Sequence, residues 1–232
     1  MNPSKSIVLL SSGLDSTVNL FLAHKQSQVV QTITFNYGQR ALAKEIEHSK
    51  KLSDYLKIPN VVIDLPWLKN IGTSSLTNSN YQVPTGKDVS IADHGVSTQT
   101  AKSVWVPNRN GVFLNIAAAL AEAAQADQII PGFNLEEAAT FPDNSEAYMD
   151  AATKAFKFST SNHVKVVSYT VKMQKTEIMK IAVDEKVPLN LIWPCYFSGE
   201  QWCGQCESCL RTKRAMIQNN IDIKEFFTGT NK

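Results

Sequence analysis

The chain has 232 residues, 43% of them hydrophobic and 19% charged, with a formal net charge of +2. This is enough chain to bury a core, and it describes an ordinary globular unit rather than a fibrous, disordered or membrane-embedded one. The near-neutral balance argues against a stable nucleic-acid partner, no stretch reaches the length of a membrane span, and residues 1–6 lack the basic-then-apolar pattern of a secretory leader. All four cysteines fall between Cys195 and Cys209, so a reducing, cytoplasmic location is expected, and the thiols need an explanation other than disulfides.

Residues 7–10 form a continuous aliphatic run, the pattern of a strand buried on both faces. Ser11-Ser12-Gly13 turns the chain, and Asp15, Ser16 or Thr17 is expected to cap a helix running through Leu20, Phe21 and Ala23. A strand-turn-helix of this kind aims backbone N–H groups, the helix dipole and small hydroxyls at one spot, where a phosphate can sit. An ordinary serine-rich turn is the plainer alternative. Neither G-x-x-x-x-G-K-[ST] nor G-x-G-x-x-G is present, which excludes the commonest nucleotide loops.

Residues 29–35 read as the second strand, ending in Asn36-Tyr37-Gly38-Gln39-Arg40. Residues 41–56 read as an amphipathic helix and 61–65 as the third strand. Strands separated by helices of this size predict right-handed crossovers and a parallel sheet. The rhythm then breaks: residues 66–100 carry no sustained period, as a lid or a passive insertion would. Order returns at Val106-Pro107-Asn108-Arg109-Asn110, followed by an alanine-rich helix over 112–125, a strand over 128–131, and a helix over 145–158 with Asp143 or Asn144 as candidate cap. A fifth strand is predicted over 164–169, then a helix from Lys175. A lysine there opposes the helix dipole unless it faces an anion. The phosphate-like turn, the 37–40 turn, Arg109 and residues 132–134 all fall at carboxyl ends of strands, where parallel sheets carry their ligands.

Cys203-Gly204-Gln205-Cys206-Glu207-Ser208-Cys209 holds two consecutive C-x-x-C spacings, with Cys195 just upstream. Four such thiols suit a closed, structural Zn²⁺ site. An iron–sulfur cluster is the rival, but its fourth cysteine would lie downstream before a proline, where Leu210-Arg211 stand instead. Trp193, Tyr196, Phe197 and Trp202 are expected to form a small core around the metal. The chain then divides into a nucleotide-binding α/β domain over 1–190, with an insertion at 66–103, and a metal-binding segment over 191–232 packed on the same domain.

The first loop resembles the Ser-Gly-Gly-x-Asp-Ser loop of the N-type ATP pyrophosphatases, or PP-loop enzymes, with Ser12 in place of the first glycine. If that position has positive φ, the serine costs about 1–2 kcal/mol. Adding Tyr37-Gly38-Gln39-Arg40, Val106-Pro107-Asn108-Arg109-Asn110, Lys175-Thr176-Glu177-Ile178 and the cysteines in this order, the whole chain resembles the 7-cyano-7-deazaguanine synthase family of queuosine biosynthesis. The resemblance implies an adenine-nucleotide α-hydrolase-like (Rossmann-like) fold and a typically homodimeric, Zn²⁺-containing ligase. It also implies conversion of 7-carboxy-7-deazaguanine, ammonia and ATP with Mg²⁺ into the nitrile, AMP and pyrophosphate. Nucleotide binding is then expected at Leu10, Ser11, Ser12, Gly13, Leu14, Asp15, Ser16 and Thr17, catalytic roles at Asp15, Lys175, Arg109 and Arg40, and metal ligation at Cys195, Cys203, Cys206 and Cys209. Asp15 would help to place Mg²⁺, Lys175 and Arg109 are the candidates to meet phosphate, and Arg40 could instead meet the substrate carboxylate; sequence alone does not separate the roles of the two arginines.

Rival functions can be weighed on residues. With every thiol consumed by the metal site, none remains to carry sulfur, which disfavours tRNA thiolation. Neither the length nor a spare thiol allows a glutaminase domain, so free ammonia is the expected nitrogen source. A zinc-knuckle RNA-binding protein with an inactive loop would want a basic stripe interleaved with aromatics, which is missing. A synthase for another carboxylated substrate is a further alternative, because Pro142-Asp143-Asn144-Ser145 stands where relatives carry a Pro-Asp-Cys-Arg-like segment.

Overall fold

The computed structural model describes residues 3–228, so the outermost residues of both expected segments lie outside the described part. Its centre is a five-stranded sheet in the order β3-β2-β1-β4-β5, with all neighbouring pairs parallel. β1 (Lys5–Leu9) lies in the middle, and its Ile7 and Val8 are fully buried on opposite faces, as the unbroken apolar run requires. On one side stand β2 (Gln28–Asn36) and β3 (Asn60–Asp64). On the other stand β4 (Gln128–Ile130) and β5 (Lys165–Val166). The chain therefore reverses its direction of travel across the sheet between β1 and β4, and parallel sheets open their ligand crevice at such a point.

Helices cover both faces. α1 (Leu14–Gln26) and α2 (Leu42–Tyr55) follow β1 and β2. α3 (His94–Val104) and α4 (Arg109–Ala123) precede β4. α5 (Leu135–Ala138) and α6 (Glu146–Ser159) precede β5, and α7 (Lys175–Asp184) and α8 (Glu207–Gln218) complete the chain. One apolar core joins Val8, Leu14, Val18 and Ile130 to Ile178 and Met216, and it runs on without a break through Trp193, Trp202 and three of the cysteines. The other joins Ile7 and Ile33 to Leu114, Ala117, Ala121 and Phe156. The alanines let α4 lie close on the sheet. Among the described residues no helix is long and apolar enough to cross a membrane.

Several sequence expectations need correction. The 66–103 insertion is built rather than structureless: it holds α3, two short 3-10 turns and a sequence of backbone-bonded turns. α3 buries Ser97, Thr100, Ala101 and Val104. That spacing is helical, but half the buried face is hydroxyl, so no hydrophobic period announces it. The fifth strand is two residues long, not six. α4 begins at Arg109, three residues earlier than expected. α1 is capped by none of Asp15, Ser16 and Thr17: Gly13 is its N-cap, with no side-chain bond. The N-cap of α6 is Ser145, whose side chain accepts from the Tyr148 amide, rather than Asp143 or Asn144.

Candidate active site

The turn after β1 is held from behind. The Leu10 carbonyl accepts from Thr34 Oγ1 at 2.9 Å and from Ser49 Oγ at 3.1 Å, and the Ser12 carbonyl accepts from the Trp193 amide at 2.7 Å. Leu10 and Leu14 enter the core, and Thr17 is fully buried. Ser11, Gly13, Asp15 and Ser16, together with Leu10 and Leu14, line a cavity of about 250 Å³. Gly13 has ordinary backbone angles, and a Cβ there would meet only Ser11 Oγ, at 3.6 Å; the space beside it is open. An uncapped helix start, open space at the glycine and the hydroxyls of Ser11 and Ser16 make a cradle that fits a phosphate. Gly132, after β4, closes the cradle from the side. A Cβ there would fall 2.6 Å from the Ser16 nitrogen, so only glycine lets the two strand ends approach this closely.

Ser12 is the strained member. It adopts φ of 59°, is fully buried, and spends its hydroxyl on the Ser11 carbonyl at 2.6 Å. It shapes the turn and does not line the cavity. Ser12→Gly is expected to raise stability by about 1 kcal/mol, because glycine adopts this conformation without the steric cost. A higher urea midpoint with unchanged slope would show it.

Lys175, the first residue of α7, is buried and donates to Asp15 Oδ2 and, at 2.8 Å, to Glu137 Oε1. Burial pushes Asp15 up to about 6, against the pull of Lys175. Burial also depresses Lys175, but the two carboxylates outweigh it and hold the ammonium above its ordinary value. Lys175 therefore stays charged at neutral pH. Asp15 Oδ1 is buried with no partner, and an orphaned carboxylate oxygen beside a phosphate cradle fits a hard cation such as Mg²⁺. Glu137 escaped the sequence reading; the only hint was its place just after a strand end.

The two arginines part company. Arg109 packs against the rings of Tyr37 and Phe113, 5.7 and 6.0 Å from their centroids, and donates to the Tyr37 hydroxyl at 3.3 Å, so its charge is held at the cavity wall. Arg40 donates to the carbonyls of Ser75, Asn78 and Tyr81, tying the 66–103 insertion to the end of β2. Its guanidinium is occupied by backbone, although the residue still borders the cavity.

Glu45, in the first turn of α2, also lines the cavity. Its carboxylate accepts from Gln39 Nε2 at 2.7 Å. Burial raises it to about 7, against opposing contributions from Gln39 and Arg109. A carboxyl raised in the fold favours folding at low pH, and that contribution is lost as pH rises from the usual 4.5 through about 7. Glu45→Gln should therefore stabilise the chain at pH 8 by about 2–3 kcal/mol and leave it nearly unchanged at pH 4.5. Melting temperatures of both proteins across this range test the sign.

The cysteine segment meets the cavity from the side. Ligand atoms of Cys195, Cys203, Cys206 and Cys209 all lie within 4.8 Å of one another, and Cys203 and Cys209 sulfurs are 3.8 Å apart. A tetrahedron with metal–sulfur bonds of about 2.3 Å has edges of about 3.8 Å. Amides of Phe197 and Cys203 donate to Cys195 Sγ, and those of Gln205 and Cys206 to Cys203 Sγ, an arrangement suited to thiolates. Hydrogen bonding with Cys195 and the other sulfurs pushes the Cys206 and Cys209 thiols up and the Cys203 thiol down. Four sulfurs this close cannot all ionise without a cation among them. The donor set fits a metal ion. From Cys209, α8 carries Arg211 and Thr212 to the cavity wall. Arg211 donates to Glu207 at 2.6 Å and to Glu136, and Glu207 in turn accepts from Ser97 and Thr100 of α3. The hydroxyl face of α3 thus answers a buried charge that sequence periodicity does not reveal.

A parallel sheet whose central strand opens through Ser11-Ser12-Gly13-Leu14-Asp15-Ser16 into an uncapped helix, with a buried lysine at the same crevice, defines a PP-loop, ATP-utilising enzyme. The family described as "Queuosine biosynthesis protein QueC" matches residues 5–220. The chain is 57% identical to a 7-cyano-7-deazaguanine synthase from Bdellovibrio bacteriovorus, over 96% of this chain and 97% of that protein. It is 56% identical to one from Carboxydothermus hydrogenoformans, over 91% and 97%. Among solved structures, an NMN synthetase from Francisella tularensis aligns with a TM-score of 0.48 at 12% identity, over 95% of this chain and 79% of that one. The chain belongs to the QueC family.

Proposed function

We propose that this chain makes 7-cyano-7-deazaguanine from 7-carboxy-7-deazaguanine, ammonia and ATP, releasing AMP and pyrophosphate. The observation that carries the reading is the end-to-end identity to synthases of that name, joined to a phosphate cradle with a buried lysine beside it. A carboxylate resists ammonia because it is anionic and its oxygen leaves poorly. Attack of the carboxylate on the α-phosphate gives an acyl adenylate, from which ammonia displaces AMP to leave the amide. Attack of the amide oxygen on a second ATP lets AMP depart with that oxygen, and the nitrile remains.

The residues present suit this chemistry. Backbone N–H groups at the start of α1, with the hydroxyls of Ser11 and Ser16, hold the departing pyrophosphate in place. Lys175 and Arg109 bring fixed positive charge to the wall of a partly enclosed cavity, where it counts for more than in open water. Mg²⁺ would be held through Asp15 and would neutralise phosphate charge. Zn²⁺ is the metal we assign to the four cysteines; a closed four-sulfur site has no open position, so its part is structural. Arg40 serves this reading by holding the insertion over the cavity rather than by touching the substrate carboxylate. We further assign the enzyme to the cytoplasm, where its thiols stay reduced, and to a homodimer. Mass spectrometry of products from the purified chain with ATP, ammonium and the 7-carboxy acid should find the nitrile and AMP. Formation of ADP, or no acid-dependent AMP, would overturn the assignment.

A further inference from the structure

Four carboxylates line the cavity: Asp15, Glu45, Glu137 and Asp143. Asp15 and Glu137 are both bound to the Lys175 ammonium, and the remaining oxygen of Asp15 is the one assigned to Mg²⁺ above, so both are engaged in the phosphate machinery. Asp143, in the 3-10 turn before α6, is bonded by the neighbouring Asn144 amide and faces the Arg109 guanidinium. Glu45 has no salt-bridge partner among the described residues. Its carboxylate accepts from an amide, Gln39, and the charged and titratable groups facing it are Arg109 and Tyr37. It also shares the cavity with the turn after β1: Glu45 and Arg109, whose charge faces it, line the same space as Ser11, Asp15 and Ser16, so its carboxylate borders the volume in which an activated carbonyl would lie.

Resting on the synthase reading above, we propose that Glu45 is the proton acceptor for the nitrogen nucleophile. In the step it serves, the ammonia lone pair forms the C–N bond to the acyl adenylate. The carbon–oxygen bond to AMP then breaks with its electron pair on the phosphate oxygen, and one N–H proton passes to the Glu45 carboxylate. The proton leaves to water before the next cycle. Burial supports the role, since a carboxyl held near 7 exchanges a proton readily in neutral solution.

The test uses the whole chain and Glu45→Gln. Acid-dependent exchange of labelled pyrophosphate into ATP, measured without ammonium, reads adenylation alone and should persist within about threefold, which also shows that the variant folds. Amide and nitrile formation from ammonium should fall by about 100-fold or more, the usual contribution of a general base. Hydroxylamine, whose nitrogen is far more acidic than that of ammonia once it is bound to the carbonyl carbon, gives its proton to water and should still be converted to the hydroxamate at close to the wild-type rate. An unchanged ammonium rate, an equal fall with hydroxylamine, or a selective fall in Asp143→Asn instead would each overturn the inference alone. Absence of exchange in the unsubstituted chain would overturn the synthase reading and this inference together.

Discussion

Lys175→Met is expected to abolish detectable AMP formation and to weaken the fold more at pH 8 than at pH 5.5. The ammonium is the salt-bridge partner of both Asp15 Oδ2 and Glu137 Oε1 in the buried part of the crevice. Removing one partner of a buried ion pair typically costs about 3–5 kcal/mol, because the remaining charges are stranded. Here two carboxylates would be stranded side by side. The chain can relieve them by taking up a proton, and Asp15, already raised to about 6, is the site that gives way first. Its pKa in the variant must rise further, so stability lost at pH 8 returns as pH falls. For catalysis, losing one fixed donor to a developing phosphate charge costs about 10²–10³-fold. A disturbed Asp15 adds to that loss. Pyrophosphate release and urea midpoints at the two pH values measure both effects. Undiminished AMP release would remove Lys175 from the phosphate site and leave it a purely structural cation.

The same residue shows what a sequence discloses and what it hides. Lys175 draws attention because it sits at a helix N-terminus, against the dipole, and that local oddity is visible in one dimension. Its partner Glu137 is not, because α5 is four residues long and nothing in Leu135-Glu136-Glu137-Ala138 says which glutamate meets the lysine and which meets Arg211 and Arg214. The alternation of strand and helix, the turn after β1 and the cysteine spacing are equally legible, since each depends on neighbours in the chain. Strand order is a different matter. That β4 returns beside β1, bringing Gly132 against Ser16, depends on contacts across more than a hundred residues. α3 was missed for a third reason. Its buried face is serine and threonine because it packs on the Glu207 carboxylate, so the periodicity is there in the wrong residue types. Arg40 illustrates the converse: its residue type suits a carboxylate ligand, yet three backbone carbonyls of the insertion claim it.

Removal of the metal is expected to disable the crevice from behind, and Cys206→Ser is the cleanest way to do it. Cys206 is fully buried and is the N-cap residue of α8, with no side-chain cap bond of its own. A thiolate there is favoured by the helix dipole as well as by the metal. Apparent binding energies of structural zinc sites are about 10–16 kcal/mol, far more than the local apolar packing of this segment can replace. Loss of one ligand should therefore free the segment from Cys195 onward. Trp193, whose amide holds the Ser12 carbonyl, borders that segment, and Arg211 and Thr212 belong to it. The turn after β1 and the cavity wall are thus both attached to the cysteine cluster, and on the synthase reading AMP formation should fail together with metal content. Elemental analysis, limited proteolysis after residue 190 and pyrophosphate release should change in step. Iron at cluster stoichiometry in the unsubstituted chain would refute zinc, and a variant that keeps one metal per chain with an unaltered digestion pattern would show that Cys206 is not a ligand.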